Sequence, residues 1–75
     1  NERFNMKNNY AVGDLVVVND LDDATLWRIV DTQGKFGIGL IDATIEKQIP
    51  NQQVQWIDVS ALKKPNTKQL LNFIN

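Results

Sequence analysis

Apolar and polar positions alternate in short runs along most of this chain, and only the last ten residues take up a helical spacing. Leu15-Val-Val-Val18 leads into Asn19; its apolar, largely β-branched side chains predict a strand over 15–19 that is buried on both faces, as a strand within a closed barrel can be. Leu26-Trp-Arg-Ile-Val-Asp31 predicts a second strand, with Trp27 and Ile29 on one face and Leu26, Arg28 and Val30 on the other. Phe36-Gly-Ile-Gly-Leu-Ile-Asp42 predicts a third. Its Gly37 and Gly39 share a face, where the missing side chains allow close approach by a neighbouring strand or a sharp bend. Val54-Gln-Trp-Ile-Asp58 alternates as a fourth.

The punctuation between these runs completes the layout. Gly13-Asp14 opens the first strand, and Asp20-Leu-Asp-Asp23 is an acidic loop. Thr32-Gln-Gly-Lys35 reads as a tight turn with Gly34 at positive φ. Residues 44–49 either extend the third strand or form a separate arm, and Pro50-Asn-Gln-Gln53 is a loop. Val59-Ser-Ala-Leu62 has the look of a single 3₁₀ turn, and Lys63-Lys64 before Pro65 is a short extended piece. Asn66 is an N-cap for a helix over 67–74, whose Leu70, Leu71, Phe73 and Ile74 form an apolar stripe. A helix this short is marginal alone and must pack on something. The expected architecture is all-β: a five-stranded barrel over 10–65, a flexible segment over 1–9 and a C-terminal helix over 66–75.

Composition narrows the function. A chain of 75 residues holds one modest core and buries only about 60% of its unfolded surface, so a partner or a homo-oligomer is an expected support. With neither Cys nor His in the sequence, disulfides and tetrahedral zinc sites are excluded. No apolar run approaches the roughly 18 residues that span a bilayer, and Asn1-Glu-Arg-Phe-Asn5 is unlike a signal peptide. Met6 offers a natural start, residues 1–5 then belonging to an upstream segment. These features predict a cytoplasmic protein or one packed inside an assembly. Eight basic residues against nine acidic ones give a formal charge of −1. The bases are scattered, and only Lys63, Lys64 and Lys68 lie close in sequence, so the counterion-release signature of a phosphate-binding face is missing.

Val12-Gly13-Asp14 leading into Val16 and Val18, then Trp27-x-Ile29-Val30, then Val59-Ser-Ala-Leu62, resembles the SH3-like small barrels. The resemblance is to those of KOW and Tudor domains, retroelement integrase C-terminal domains and small phage-encoded proteins, and it covers about residues 10–65. It implies a fold that hosts many unrelated activities, with the terminal helix as an addition. Richness in Asn and Ile fits an AT-rich source such as a phage or mobile element. Val54-Gln55 followed by Val59-Ser-Ala-Leu62 also resembles the plasmid-type dihydrofolate reductases, SH3-like tetramers with a Val-Gln-Ile-Tyr tetrad at a central pore. Here Trp56-Ile57 replaces Ile-Tyr, and Val18 stands where that family has a phosphate-binding Lys.

Four aromatics are candidates for recognition. Trp27 and Phe36 read as core fillers, whereas Tyr10 and Trp56 are candidates for a groove that takes a peptide, a methylated side chain or a base. Asp20, Asp22 and Asp23 crowd one loop, but their spacing lacks the glycine and distal Glu of a calcium loop, so a solvated acidic rim is expected and no metal site. Ser60 has no His to activate it, and Gly34-x-x-Gly37-x-Gly39 precedes no helix that would cradle a phosphate. The expectation is a non-catalytic, cofactor-free module for protein–protein recognition in a phage or mobile-element accessory protein, its groove edged by Tyr10, Trp56 and the acidic loop. Leu70, Phe73 and Ile74 offer a second route, docking on a neighbouring subunit. The alternative is a nucleic-acid-binding barrel using Arg28, Lys35, Lys47, Lys63 and Lys64, and the third reading is a reductase-like tetramer.

Overall fold

A computed structural model describes residues 10–21 and 24–74; the expected flexible segment over 1–9, Asp22 and Asp23 lie outside the described residues. Five antiparallel strands, β1 (Leu15–Val18), β2 (Trp27–Gly34), β3 (Gly37–Asp42), β4 (Gln55–Ile57) and β5 (Leu62–Lys63), form one sheet in the order β4-β3-β2-β1-β5. Helix α1 (Thr67–Ile74) follows. The first and last strands are neighbours, so the chain closes on itself in sequence. By hydrogen bonding, however, the sheet is open: among the described residues β4 pairs only with β3, and β5 only with β1. The expected closed barrel is in this respect an open sheet, with β4 and β5 as its edges among the described residues.

Local chemistry explains the strand ends. Ala11-Val-Gly-Asp14 is a turn in which the Asp14 amide donates to the Ala11 carbonyl at 3.0 Å and the Asp14 carboxylate accepts from the Ala11 amide at 2.9 Å. Gly13, at φ +100°, supplies the left-handed position that such a turn demands. β3 and β4 end alike. Asp42 accepts from the amide and hydroxyl of Thr44, and Asp58 does the same with Ser60, so each carboxylate caps a 3₁₀ turn, 43–45 and 59–61. The first of these turns replaces the strand extension or arm expected at 44–49. It is followed by further turns stitched by Ile49 and Gln48 amides donating to the Ile45 carbonyl.

Two expectations at the β2–β3 hairpin are corrected. β2 runs on to Gly34, which pairs with Gly37, so the turn is Lys35-Phe36 and not 32–35. The left-handed residue is Gly37, at φ +120°, and not Gly34. Register shifts after Ile29 and after Asp31 absorb the extra residues of β2. Phe36 thereby falls outside both strands and is 74% exposed, so it fills no core.

The core sits on one face of the sheet, where Val16, Val18, Ile29, Ile38, Leu40 and Leu62 cluster, with Tyr10, Trp27 and Ile57 packed half-buried against them. Truncating a side chain such as the fully buried Ile29 to Ala in a core this small costs about 2–5 kcal/mol. Val17 and Ile41 belong to the opposite face yet are buried, as are Leu26 and Ala43 beside it. Helix α1 comes near this side of the sheet. Its Leu70 and Phe73 are half-buried; Leu70 shares a hollow with Leu15 and Arg28, and Phe73 shares one with Ala43 and Thr44. Leu70 and Phe73 are thus turned toward their own sheet, while Ile74 remains 75% exposed. The helix begins with a reciprocal cap: the Asn66 amide donates to Gln69 Oε1 at 2.7 Å, and the Gln69 amide donates to Asn66 Oδ1 at 2.8 Å.

Candidate recognition site

The turn after β1 sets up the first of two hollows. Asn19-Asp20 reverses the chain, the Leu21 amide donating to the Val18 carbonyl at 3.2 Å, and Asp20 sits at φ 68°, a conformation that Asp tolerates better than most residues. The Asn19 amide donates to the Ala61 carbonyl at 2.8 Å, which ties this turn to the 3₁₀ turn 59–61. Leu21 is thereby brought to a hollow of about 150 Å³ that it lines with Val18, Trp27, Leu40, Gln55, Trp56 and Ile57. The walls are mainly aliphatic and aromatic, and Asp20 precedes Leu21 in the chain. Asp22 and Asp23, the other two members of the expected acidic edge, lie outside the described residues.

Trp27 also lines this hollow. The side chain packs against the core cluster, and its Nε1–H is buried with no hydrogen-bond acceptor among the described residues. A buried donor left unpaired costs about 1–3 kcal/mol, so an acceptor arriving from outside would recover part of that cost. Sequence reasoning placed Trp27 in the core, where its side chain packs half-buried against the cluster, and did not foresee the unpaired N–H. The available signal was its place as first residue of a strand just after the acidic loop, with an N–H that a pure core residue has no use for.

Trp56 sits on glycine. The positions that a Cβ would take at Gly34 and Gly39 fall 2.1 Å and 3.0 Å from Cζ3 of the indole, so its six-membered ring lies across β3 and onto β2 where side chains are missing. Gly39 and Trp56 are register partners. With this support the ring stays 43% exposed.

Tyr10 is elsewhere. It lines a second, more open hollow of about 470 Å³ with Gly13, Asp14, Leu15, Arg28, Lys64, Pro65 and Leu70, and has no lining residue in common with the Trp56 hollow. The Lys64 ammonium lies 5.0 Å from the Tyr10 ring centroid, a cation–π pair. The single groove expected between Tyr10, Trp56 and the acidic loop is therefore divided, with Trp56 and Leu21 in one hollow and Tyr10 in the other.

The basic residues are also dispersed. Arg28 Nε donates to Glu46 at 2.8 Å and its Nη1 to the Gly13 carbonyl at 2.9 Å, so it clasps the turn before β1 to the segment after β3. Lys35 lies in the β2–β3 turn and Lys47 beyond the far end of β3, separated by a strand length of about 20 Å. Lys63 pairs with Val17 in edge strand β5, whereas Trp56 belongs to β4 at the other edge. Lys64 lies over Tyr10 in the second hollow. Among the described residues no three acidic, His or Cys side chains converge to hold a metal ion, and no helix is long and apolar enough to cross a membrane. Comparison with family models, curated proteins and solved structures returned no match to this chain.

Proposed function

We propose that the chain is a non-catalytic recognition module of SH3-like build that holds an extended segment of a partner protein in the hollow between Leu21, Trp27 and Trp56. The build is supported by the sheet order, with β5 beside β1 and a 3₁₀ turn joining β4 to β5. The observation that carries the function is an apolar hollow lined by Trp27, whose Nε1–H is buried and unpaired among the described residues. A backbone carbonyl of a bound peptide is an acceptor of the right kind. Leu21 and Trp56 supply apolar area, and Asp20, the residue before Leu21, favours a basic neighbour in the ligand. Arg28 and Lys64 share the Tyr10 hollow, but Arg28 is engaged by Glu46 and Gly13, and Lys35 and Lys47 lie at opposite ends of β3, which gives the nucleic-acid reading less support.

The test uses peptides selected from a random library on the immobilised full chain, followed by amide and indole NMR of the complexes. The Trp27 indole N–H resonance moves downfield on binding, and Trp27→Phe weakens the selected peptides by about tenfold, the value of one hydrogen bond, while unfolding stability changes little. Peptides that bind Trp27→Phe and Trp56→Ala as well as the original chain overturn the reading. So does a labelled oligonucleotide that co-elutes at low salt, fades as salt rises and leaves both indoles unshifted.

A further inference from the structure

The two edges of the sheet are joined by a very short link. β4 and β5 lie at opposite ends of the order β4-β3-β2-β1-β5, and four inter-strand steps would put the edges of a flat sheet about 19 Å apart. Yet only Asp58-Val-Ser-Ala61 separates Ile57, the end of β4, from Leu62, the start of β5. Residues 59–61 form a 3₁₀ turn, which rises only about 2 Å per residue, so the link is too short to cross a flat sheet. The sheet is therefore curled, and the end of β4 comes back toward β5 and β1. The hollow of about 150 Å³ takes its lining from both sides of this approach: Gln55, Trp56 and Ile57 from β4, and Val18 and Leu21 from the end of β1 and the turn after it.

Hydrogen bonds at the link tie the two sides together. The Asp58 carboxylate accepts from the Ser60 amide at 3.0 Å and from the Ser60 hydroxyl, and the Ala61 amide donates to the Asp58 carbonyl at 3.0 Å. The Ala61 carbonyl in turn accepts from the Asn19 amide at 2.8 Å, one step beyond the Val18–Leu62 pair of β1 and β5. Asn19 opens the bend that carries Leu21, whose amide donates to the Val18 carbonyl. A continuous path of backbone and hydrogen bonds thus runs from Trp56 through Asp58, Ser60 and Ala61 to Asn19 and Leu21.

We propose that Asp58 is a positioning residue for this hollow: by capping the turn 59–61 it sets the spacing of Trp56 and Leu21, although it is not itself part of the lining. The inference rests on the reading of that hollow as the recognition site. Asp42 provides an internal contrast. It caps the turn 43–45 through the amide and hydroxyl of Thr44, the same pair of bonds, but no residue of that turn lines the hollow. One device therefore ends a strand at both places and also sets the geometry of the hollow at one of them. Without the Asp58 cap the link opens part of the time. Only the closed fraction then presents both walls at the right spacing, and the apparent affinity falls by that fraction.

The test compares Asp58→Ala, Asp58→Asn and Asp42→Ala in the full chain. Two quantities are read: the NMR resonances of the Leu21 methyl groups, which sense the ring currents of the indoles in the same hollow, and the affinity for the peptides selected from the random library. Asp58→Ala moves the Leu21 methyl resonances toward unstructured-chain values and weakens the peptides about fivefold, the equivalent of one lost cap. Asp58→Asn, which caps as well as Asp, restores both. Asp42→Ala loses a comparable cap and changes neither. Should Asp58→Ala not fold, Ser60→Ala, which removes only the hydroxyl donor, gives the same two changes at smaller size. Leu21 resonances that stay in place in the folded variants Asp58→Ala and Ser60→Ala overturn the inference, as does an Asp42→Ala chain that moves them equally. The methyl readout needs no peptide. Leu21 resonances that move in Asp58→Ala, together with peptides that leave both indoles unshifted, uphold the role of Asp58 and overturn the recognition reading instead.

Discussion

The six-membered ring of Trp56 occupies the space that a side chain at Gly34 would need, with Cζ3 2.1 Å from the position of a Cβ there. The two residues are on non-adjacent strands, β4 and β2, and the indole reaches across Gly39 of β3 to make the contact. Two glycines and one tryptophan therefore form a single unit, in which the absence of side chains on two strands fixes the position of a large one on a third.

Gly34→Ala forces that unit apart. The methyl group cannot coexist with the ring, and displacing a packed aromatic costs about 1–3 kcal/mol. Chemical denaturation reads this as a lowered midpoint, and Trp56 emission moves to the red as the ring enters water. The double variant Gly34→Ala with Trp56→Ala loses less than the two single changes summed, because a small residue at 56 leaves room for the methyl. Strict additivity would show that the two sites are independent.

Arg28 acts as a clasp. Its guanidinium bonds both Glu46 and the Gly13 carbonyl while about one-third exposed, so solvent screens the ion pair. Arg28→Ala lowers stability by about 1–2 kcal/mol through the combined loss of both hydrogen bonds and stem packing, whereas Glu46→Ala costs less than about 1 kcal/mol. Urea titrations of both variants check the order, and equal effects would place all of the clasp in the ion pair.

Much of this fold was legible because each element has a local cause. The β-branched run Val16–Val18, the alternation at Val54–Asp58, the 3₁₀ turn at Val59 and the cap at Asn66 all depend on neighbours in sequence. The turn 43–45 was equally legible and was passed over: Asp42-x-Thr44 repeats the spacing of Asp58-x-Ser60, and each carboxylate caps its turn in the same way. Phe36 was misplaced for a different reason. Whether a strand begins at 36 or 37 is decided by the pairing of Gly34 with Gly37, a relation between strands that hydrophobic spacing does not encode. The division of the expected groove has a similar origin. Tyr10 precedes β1 and Trp56 is the middle residue of β4, and whether they face a common hollow follows from the order of the sheet.

Asn66 and Gln69 cap α1 reciprocally, and Leu70 and Phe73 of α1 are half-buried. Asn66→Ala removes the side-chain acceptor and costs about 1 kcal/mol. Hydrogen exchange at residues 67–74 speeds up more than exchange in β2 and β3, since an eight-residue helix depends on its cap and its docking together. Equal acceleration throughout would mean that helix and sheet unfold as one unit.

Asp58 gives the fold a sensitivity to acid. Its carboxylate accepts from the Ser60 hydroxyl and from the Ser60 amide, and these bonds, the hydroxyl first, hold its pKa below the ordinary 3.8. A group whose folded pKa is lowered binds its proton more readily in the unfolded chain. Its contribution is complete above the unfolded value and is lost as pH falls below 3.8 through the lower folded value. Asn caps as well as Asp but does not titrate, so Asp58→Asn leaves the denaturation midpoint near neutral pH almost unchanged. The same variant flattens the decline in midpoint as pH falls below 3.8. An acid limb identical in the two proteins would assign that decline to other carboxylates.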